Sequence, residues 1–564
     1  MLTFLIALSI SWTGWNDSVF AQAKRDHKFV LLDLQAVWCH WCHVMDEQTY
    51  ADPKVIALMN QRYIAVKVDQ DSRPDLANRY EDYGWPATIV FAADGSEIVK
   101  RRGYIPPDEM ASMLKAIIDD PSPGPSVIPE PKIQFGNESL LSDALRKQLE
   151  QLHRDKYDAK YGGWGFTHKY LDAGSVEYAL ARNDADNKRM ARQTLDNERN
   201  LLDPAWGGVY QYSTGGVWNE PHFEKIMEMQ AGNLRVAAQA YALWGDAKDL
   251  ATAQAIRKYL NAFLRSPEGA YYTSQDADLV DGEHAAEYFA LSDAQRRAKG
   301  IPHVDKHIYA RENGWAAEAL IQLAMATGDR APLDEARAAI KWIYAHRRRI
   351  DGGFTHGAQS TTPYLGDTIA IARAELALYA ATGERLWLAR AREAAAFIDK
   401  TLRGNPGYVT AKPLAMMPPK YQRDENIAVA RFANLLFHYT GDPKHQAMAK
   451  NAMRYLSAEL VAKDWPAGGV LLADYELRNE PLHVTVVGAK KDAAAQSLFQ
   501  AAAKIATPFK QLEWFDRAEG PLPGAKVEYP ELKKPAAFLC SANRCSRPAF
   551  SAAELQTLVA RLQP

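Results

Sequence analysis

Long apolar runs are missing from this 564-residue chain, and with them any membrane-spanning helix. Blocks of basic residues are missing too. Its 67 Lys and Arg against 69 Asp and Glu leave a net charge of −2, so no nucleic-acid partner is indicated. Cysteine is scarce. Four in a chain of this length exclude a disulfide scaffold, and they fall into two close pairs, Cys39/Cys42 and Cys540/Cys545. Such spacing points to local thiol chemistry or metal binding rather than long-range stapling. The chain also exceeds what one hydrophobic core can hold, so two or three domains are expected.

Residues 1–11 (MLTFLIALSIS) combine a short apolar run with a small-x-small ending, the form of a secretory signal cleaved near Trp12. A positive start is missing, and a buried first strand would read the same way. A periplasmic or secreted location is the expectation, with the cytoplasm as the alternative. Segments 29–34 (FVLLDL), 63–68 (YIAVKV) and 87–92 (ATIVFA) read as buried strands. Cys39-His40-Trp41-Cys42 opens a helical stretch after the first, and Asp94-Gly95 turns a hairpin after the third. That order is a thioredoxin-like α/β domain, expected over residues 12–120, with a Pro-rich linker over 121–136.

Thiolate chemistry needs a lowered thiol pKa, which a helix N-terminus and a nearby histidine supply. Cys39 is therefore expected as the exposed nucleophile, Cys42 as the resolving thiol, and His40 as the group stabilising the thiolate. Pro86, in Gly84-Trp85-Pro86-Ala87-Thr88 before a buried strand, is expected to be cis and to lie beside the dithiol. Three other readings of Cys39–His43 stay open: covalent haem attachment, a Cys2His2 zinc site, and an inactive fold using the motif for packing. The leading reading needs no cofactor and no metal.

From about Asn137 the pattern turns helical and repetitive. Tight turns at Gly245-Asp246, Gly328-Asp329, Gly383-Glu384 and Gly441-Asp442 place glycine to end one helix and an acid near the start of the next. They alternate with Gly-aromatic or Gly-Gly loops at 162–164, 207–208, 269, 352–354, 407–408 and 468–469. Repeated helix pairs signal a solenoid or a closed ring. Six such loops suggest an (α/α)6 toroid over 137–480, with an open superhelix as the alternative. After it, residues 481–564 read as a small α/β tail that holds the second cysteine pair, which is read as a local structural disulfide or a second redox pair.

The long loops hold the unusual polar residues, so a site is expected at that end of the ring. His222 and Glu224 are acid–base candidates, and Asp276 with Asp278 a carboxylate pair suited to glycoside chemistry. Trp164, Tyr212, Trp218 and Tyr271 are candidates to face sugar rings. Loop aromatics also pack on their own, which is the plainer reading.

These residues resemble the thioredoxin-domain proteins similar to spermatogenesis-associated protein 20, over nearly the whole chain. The resemblance rests on Cys39–Met45 (CHWCHVM), Tyr212-Ser213-Thr214 with Trp218 and PHFEK at 221–225, Asp276-Ala277-Asp278, Asn313-Gly314, and the Cys540/Cys545 pair. It implies a thioredoxin-like domain joined to a six-hairpin toroid like that of glycosidases and N-acylglucosamine 2-epimerases, with no established activity. The text after Asp278 and after Lys225 departs from the family pattern, so the thiol end is better preserved than the toroid end. The expectation is a thiol–disulfide redox protein with a thiol or disulfide protein partner, whose toroid positions a substrate, with carbohydrate as the candidate ligand. A sugar-modifying toroid with a regulatory thioredoxin domain and a non-catalytic scaffold are the rivals.

Overall fold

The computed structural model describes residues 9–16, 18–412, 417–524, 527–541 and 544–562. Most of the 1–11 segment thus lies outside the described residues. Of its end, Ile10 is buried in the core, and Trp12 opens a strand.

Five strands form the first sheet: β1 (Trp12–Thr13), β2 (Phe29–Gln35), β3 (Tyr63–Asp69), β4 (Ala87–Phe91) and β5 (Glu97–Arg102). Their order is β1-β3-β2-β4-β5, with β2 parallel to β3 and antiparallel to β4. The central strands are apolar on both faces because helices cover both, Ser18–Asp26 on one side and Pro53–Arg62 with Pro107–Asp119 on the other. The Trp85–Pro86 bond is cis, as the sequence predicts. Residues 121–136 form neither helix nor strand.

The toroid is closed. Inner helices Ala173–Arg182, Met227–Trp244, Ala310–Thr327, Leu365–Thr382, Arg423–Thr440 and Gly468–Arg478 each pack on the next, and the last packs back on the first. The sixth hairpin joins the two ends of the segment: outer helix Asp143–Asp155 lies against Gly468–Arg478. Gly245, Gly328, Gly383 and Gly441 end their helices at φ of +68°, +78°, +68° and +65°, which a side chain would oppose. The Gly-aromatic loops are tied by a recurring device. Near the start of an inner helix, Gln230, Asn313 and Asn426 each bond both the N–H and the C=O of one loop residue: Val209, Tyr271 and Tyr408.

At the waist of the ring each inner helix contributes one charged side chain: Glu177, Arg235, Glu318, Arg373, Arg431 and Glu476. They pair around the axis, Glu177–Arg235 at 2.7 Å, Glu318–Arg373 at 2.8 Å, and Arg431 with both Glu177 and Glu476 at 2.9 Å. The pairing holds the Glu177 carboxyl down: burial works to raise its pKa, and Arg235, Arg431 and Arg373 overcome that. This layer divides the bore. On the tight-turn side it is capped by the C-terminal sheet, of strands Leu482–Val487, Lys510–Phe515, Ala536–Ser541 and Arg544–Cys545, whose Trp514 and Lys490 abut Gly383. Cys540 and Cys545 form a cross-strand disulfide in it.

The thioredoxin-like domain caps the long-loop side. Asn78 bonds Thr410 and Glu425, and the buried His356 bridges the two units, its Nε2 donating to Asp71 O at 2.6 Å and its Nδ1 facing Asp367 at 2.8 Å.

Candidate functional site

Cys39 caps helix His40–Val44, where the N–H of Cys42 donates to Cys39 Sγ at 3.2 Å. The two cysteines form a disulfide. The expectation of an exposed nucleophile is corrected here: Cys39 is 4% exposed and Cys42 1%. Sequence reasoning treated this domain alone, whereas the toroid covers its dithiol face. Ile226 of the toroid packs with Ala36, Trp38, Trp85 and the two cysteines. Exposure passes instead to Trp41, at 40%.

His40 does not turn toward sulfur either. Its Nδ1 lies 2.9 Å from both oxygens of Asp278, and its ring packs tilted against His284, centroids 4.4 Å apart. The donors that remain for a thiolate at Cys39 are the Cys42 N–H and the helix start. His43, one residue past Cys42, turns the same way: Nδ1 is 3.2 Å from Asp278 Oδ2, and Nε2 donates to Val37 O at 3.1 Å with Asp276 Oδ2 at 3.6 Å. Burial works to lower the His43 pKa, but the Asp278 hydrogen bond and the charges of Asp276 and Asp281 raise it to about 9. His43 is therefore an imidazolium at neutral pH.

The toroid presents these carboxylates on a small ribbon. Lys225–Ile226 pairs antiparallel with Ser274–Gln275, Lys225 opposite Gln275. One step further, Glu224 stands opposite Asp276 on the face opposite to Lys225. Lys225 points into the ring and bonds Asp203 at 2.6 Å, while Glu224 and Asp276 are turned the other way and buried. Burial pushes the Glu224 carboxyl up to about 7, with Asp276 and Asp278 adding to it, and burial raises Asp276 to about 7. His222 stacks on Tyr212 at 4.4 Å, and burial lowers its pKa to about 4.

His222, Glu224, Asp276 and Asp278 thus gather beside the CxxC helix and not on the wall of the toroid bore. The expected sugar-facing aromatics are corrected too: Trp164, Trp218 and Tyr271 are buried in the core, and Tyr212 is held by His222. The bore holds a separate cavity of about 540 Å³. Trp38 and Trp85, the residues preceding Cys39 and the cis-proline, form its roof; Arg311, Glu312, Trp315 and Glu425 line it from the ring. Glu425 accepts from Thr410 at 2.7 Å, and burial lifts its carboxyl to about 7.

Asp33 escaped the sequence reading, although a carboxylate interrupting the apolar run FVLLDL is a legible signal. It is 1% exposed on β2, six residues before Cys39, with Lys67 Nζ 3.7 Å away. Burial drives its pKa to about 7, a value suited to carrying protons at neutral pH.

A family model described as "Protein of unknown function, DUF255" (Thioredox_DsbH) matches residues 4–119. Mouse spermatogenesis-associated protein 20 is 26% identical over 307 residues, 48% of this chain and 39% of its own length. The alignment therefore spans well under half of that relative. Thioredoxin of Mycoplasmoides gallisepticum is 31% identical over 103 residues, 18% of this chain and 95% of that protein. A solved structure described as a sugar epimerase from a ruminal bacterium aligns with a TM-score of 0.47 at 13% identity, over 60% of this chain and 99% of that one.

Proposed function

We propose, from the premise that the N-terminal domain belongs to the thioredoxin family, that the protein is a thiol–disulfide oxidoreductase acting on a small molecule held in the toroid cavity. The observation that carries this is the shared wall: Trp38 and Trp85 flank the dithiol and also roof the 540 Å³ cavity. A folded protein partner would have to displace the ring to reach Cys39. A low-molecular-weight disulfide in the cavity would have to pass only Trp38 and Trp85, which stand between the cavity and the two cysteines.

In the reductive direction the Cys39 thiolate attacks one sulfur of the substrate disulfide, forming a mixed disulfide and releasing the first thiolate. Cys42, having lost its proton, then attacks Cys39 Sγ and releases the second thiolate. The two electrons of the dithiol pass to the substrate, and Cys39–Cys42 is left oxidised; oxidation of a dithiol runs the same steps backward. The Cys42 N–H stabilises charge on Cys39 in both directions. The ring side of the cavity, with Arg311, Glu312 and Trp315, fits a polar and ring-bearing substrate such as a sugar conjugate.

Trapping tests this. Cys42→Ser is expected to accumulate a mixed disulfide between Cys39 and a small probe disulfide, while Cys39→Ser forms none. Equal labelling of both variants would defeat the assignment of Cys39 as nucleophile.

The rival, a sugar-modifying toroid regulated by the thioredoxin domain, is supported by Glu425, a carboxyl held near neutrality on the cavity wall. On that reading Glu425→Gln abolishes turnover of the sugar and leaves mixed-disulfide formation at Cys39 intact.

A further inference from the structure

The wall of the 540 Å³ cavity carries charges that do not balance. Five arginines line it, and each is already paired with a carboxylate: Arg235 with Glu177 at 2.7 Å, Arg311 with Glu312 at 2.7 Å, Arg373 with Glu318 at 2.8 Å, Arg431 with Glu177 and Glu476 at 2.9 Å, and Arg423 with Asp464 at 3.6 Å. Among the described residues no lysine lines it. Asp71, Glu81, Asp172, Glu228 and Glu425 line it as well, and among the described residues none of these five forms an ion pair with a lysine or arginine.

Four of these carboxylates are met by neutral donors. Asp71 accepts from Trp38 and Gln70, Glu81 from Gln422, Asp172 from the N–H of Ser175, and Glu425 from Thr410 and Asn78. Glu228 supplies the independent observation: among the described residues its carboxylate has no hydrogen-bond partner. Its side chain is exposed, yet burial within the molecule raises its pKa. Both hold only if the surface that Glu228 exposes belongs to the cavity, so the carboxylate points into it from the first turn of Met227–Trp244. Carboxylates deep in a protein are ordinarily paired or hydrogen-bonded, and one left open to a cavity calls for a positively charged occupant. The other four show the same deficit. Burial lifts Asp71 well above the carboxylate range, Glu81 and Glu425 to about 7, and Asp172 to about 6.

We propose that the small molecule held in this cavity is an organic cation, a primary amine or a compound carrying one, with Glu228 meeting its charge. The inference rests on the cavity reading of the preceding subsection and names the chemistry that the cavity takes. Among the described residues no three carboxylates of the wall come close enough to hold one metal ion, so charge spread in this way fits an extended organic molecule. Trp38, Trp85 and Tyr170 supply apolar wall for its carbon stem. With every arginine committed, the wall offers no unpaired cation to a phosphate or a carboxylate. Sugar phosphates, nucleotides and glutathione disulfide, all of negative net charge, therefore fall outside the class. Within the redox reading the substrate is then the disulfide of an aminothiol.

The test is calorimetric titration of the oxidised full-length protein with hexamethylenediamine, at a mildly alkaline pH where the carboxyls are ionised, with adipate as the anionic counterpart. One diamine per chain is expected to bind, and adipate not at all. Glu228→Gln changes a side chain without a partner, so folding is not at stake, and it should weaken diamine binding about 10- to 100-fold. The diamine holds no sulfur, which separates this result from the fate of the redox reading. Cystamine, a diamine of similar length with a disulfide at its centre, should oxidise the reduced Cys39–Cys42 pair and leave as two molecules of cysteamine. Diamine binding without that oxidation would keep the cation site and refute the redox reading instead. Absence of diamine binding in the parent, adipate bound as tightly as the diamine, or equal diamine affinity in Glu228→Gln overturns the proposal.

Discussion

Asp203→Ala is expected to cost about 3–5 kcal/mol, the penalty for breaking a buried ion pair on one side. Asp203 Oδ2 accepts from Lys225 Nζ at 2.6 Å and from Arg296 Nη1 at 2.7 Å, and all three side chains are fully buried. Removing the carboxylate leaves two cations without a counter-charge in the core of the ring. Lys225 is already strained in this sense: burial pulls its pKa down to about 8 against the support of Asp203. The loss should also reach the site, because Lys225 is the neighbour of Glu224 and pairs with Gln275 beside Asp276. Denaturant unfolding followed by tryptophan fluorescence measures the cost. A change below about 1 kcal/mol would show that the triad is offset elsewhere.

Asp33→Asn is expected to do the opposite. The carboxyl has a native pKa of about 7 against 3.8 unfolded, so the native state holds its proton to higher pH. Stability from this group therefore falls as pH rises from about 4 to about 7, and the full cost is present above that. Three pKa units correspond to about 4 kcal/mol at most, so Asp33→Asn should gain about 2–4 kcal/mol at pH 8 and close to nothing at pH 4. Lys67 keeps its pairing with Asp46 in the variant. Urea unfolding at the two pH values reads the difference. A pH-independent gain would mean that packing, not the buried charge, sets the effect. If Asp33 also carries protons for the dithiol, the same variant slows thiol exchange, a trade of activity for stability.

The fold could be read because its signals are local. FVLLDL, YIAVKV and ATIVFA are mostly apolar runs, broken only by Asp33 and Lys67 among charged residues, of the kind that a strand covered on both faces requires, and Gly245, Gly328, Gly383 and Gly441 mark helix ends by a conformation other residues resist. Ring closure was legible from the number of loops, though nothing in the sequence says that Asp143–Asp155 would meet Gly468–Arg478. The site was legible in its residues but not in its arrangement. His40 and Asp278 are separated by 238 positions, and no periodicity reports a contact made by docking two domains. An exposed Cys39 and a histidine turned to sulfur are what the N-terminal domain would show alone. The same gap explains His222 and Glu224: their side-chain chemistry marked them as acid–base candidates, but that they would lie beside the dithiol was not visible.

The central claim is that the dithiol works from behind the ring and exchanges with small molecules. It is tested most directly by the alkylation rate of the reduced full-length protein with reagents of increasing size. Iodoacetamide is expected to modify Cys39 readily, and a polymer-tethered maleimide about a hundredfold more slowly, the ratio being set by the free energy of opening the interface. Asp278→Asn, which removes the acceptor shared by His40 and His43, should narrow that ratio. Equal rates for the small and the large reagent in the parent protein would contradict the account.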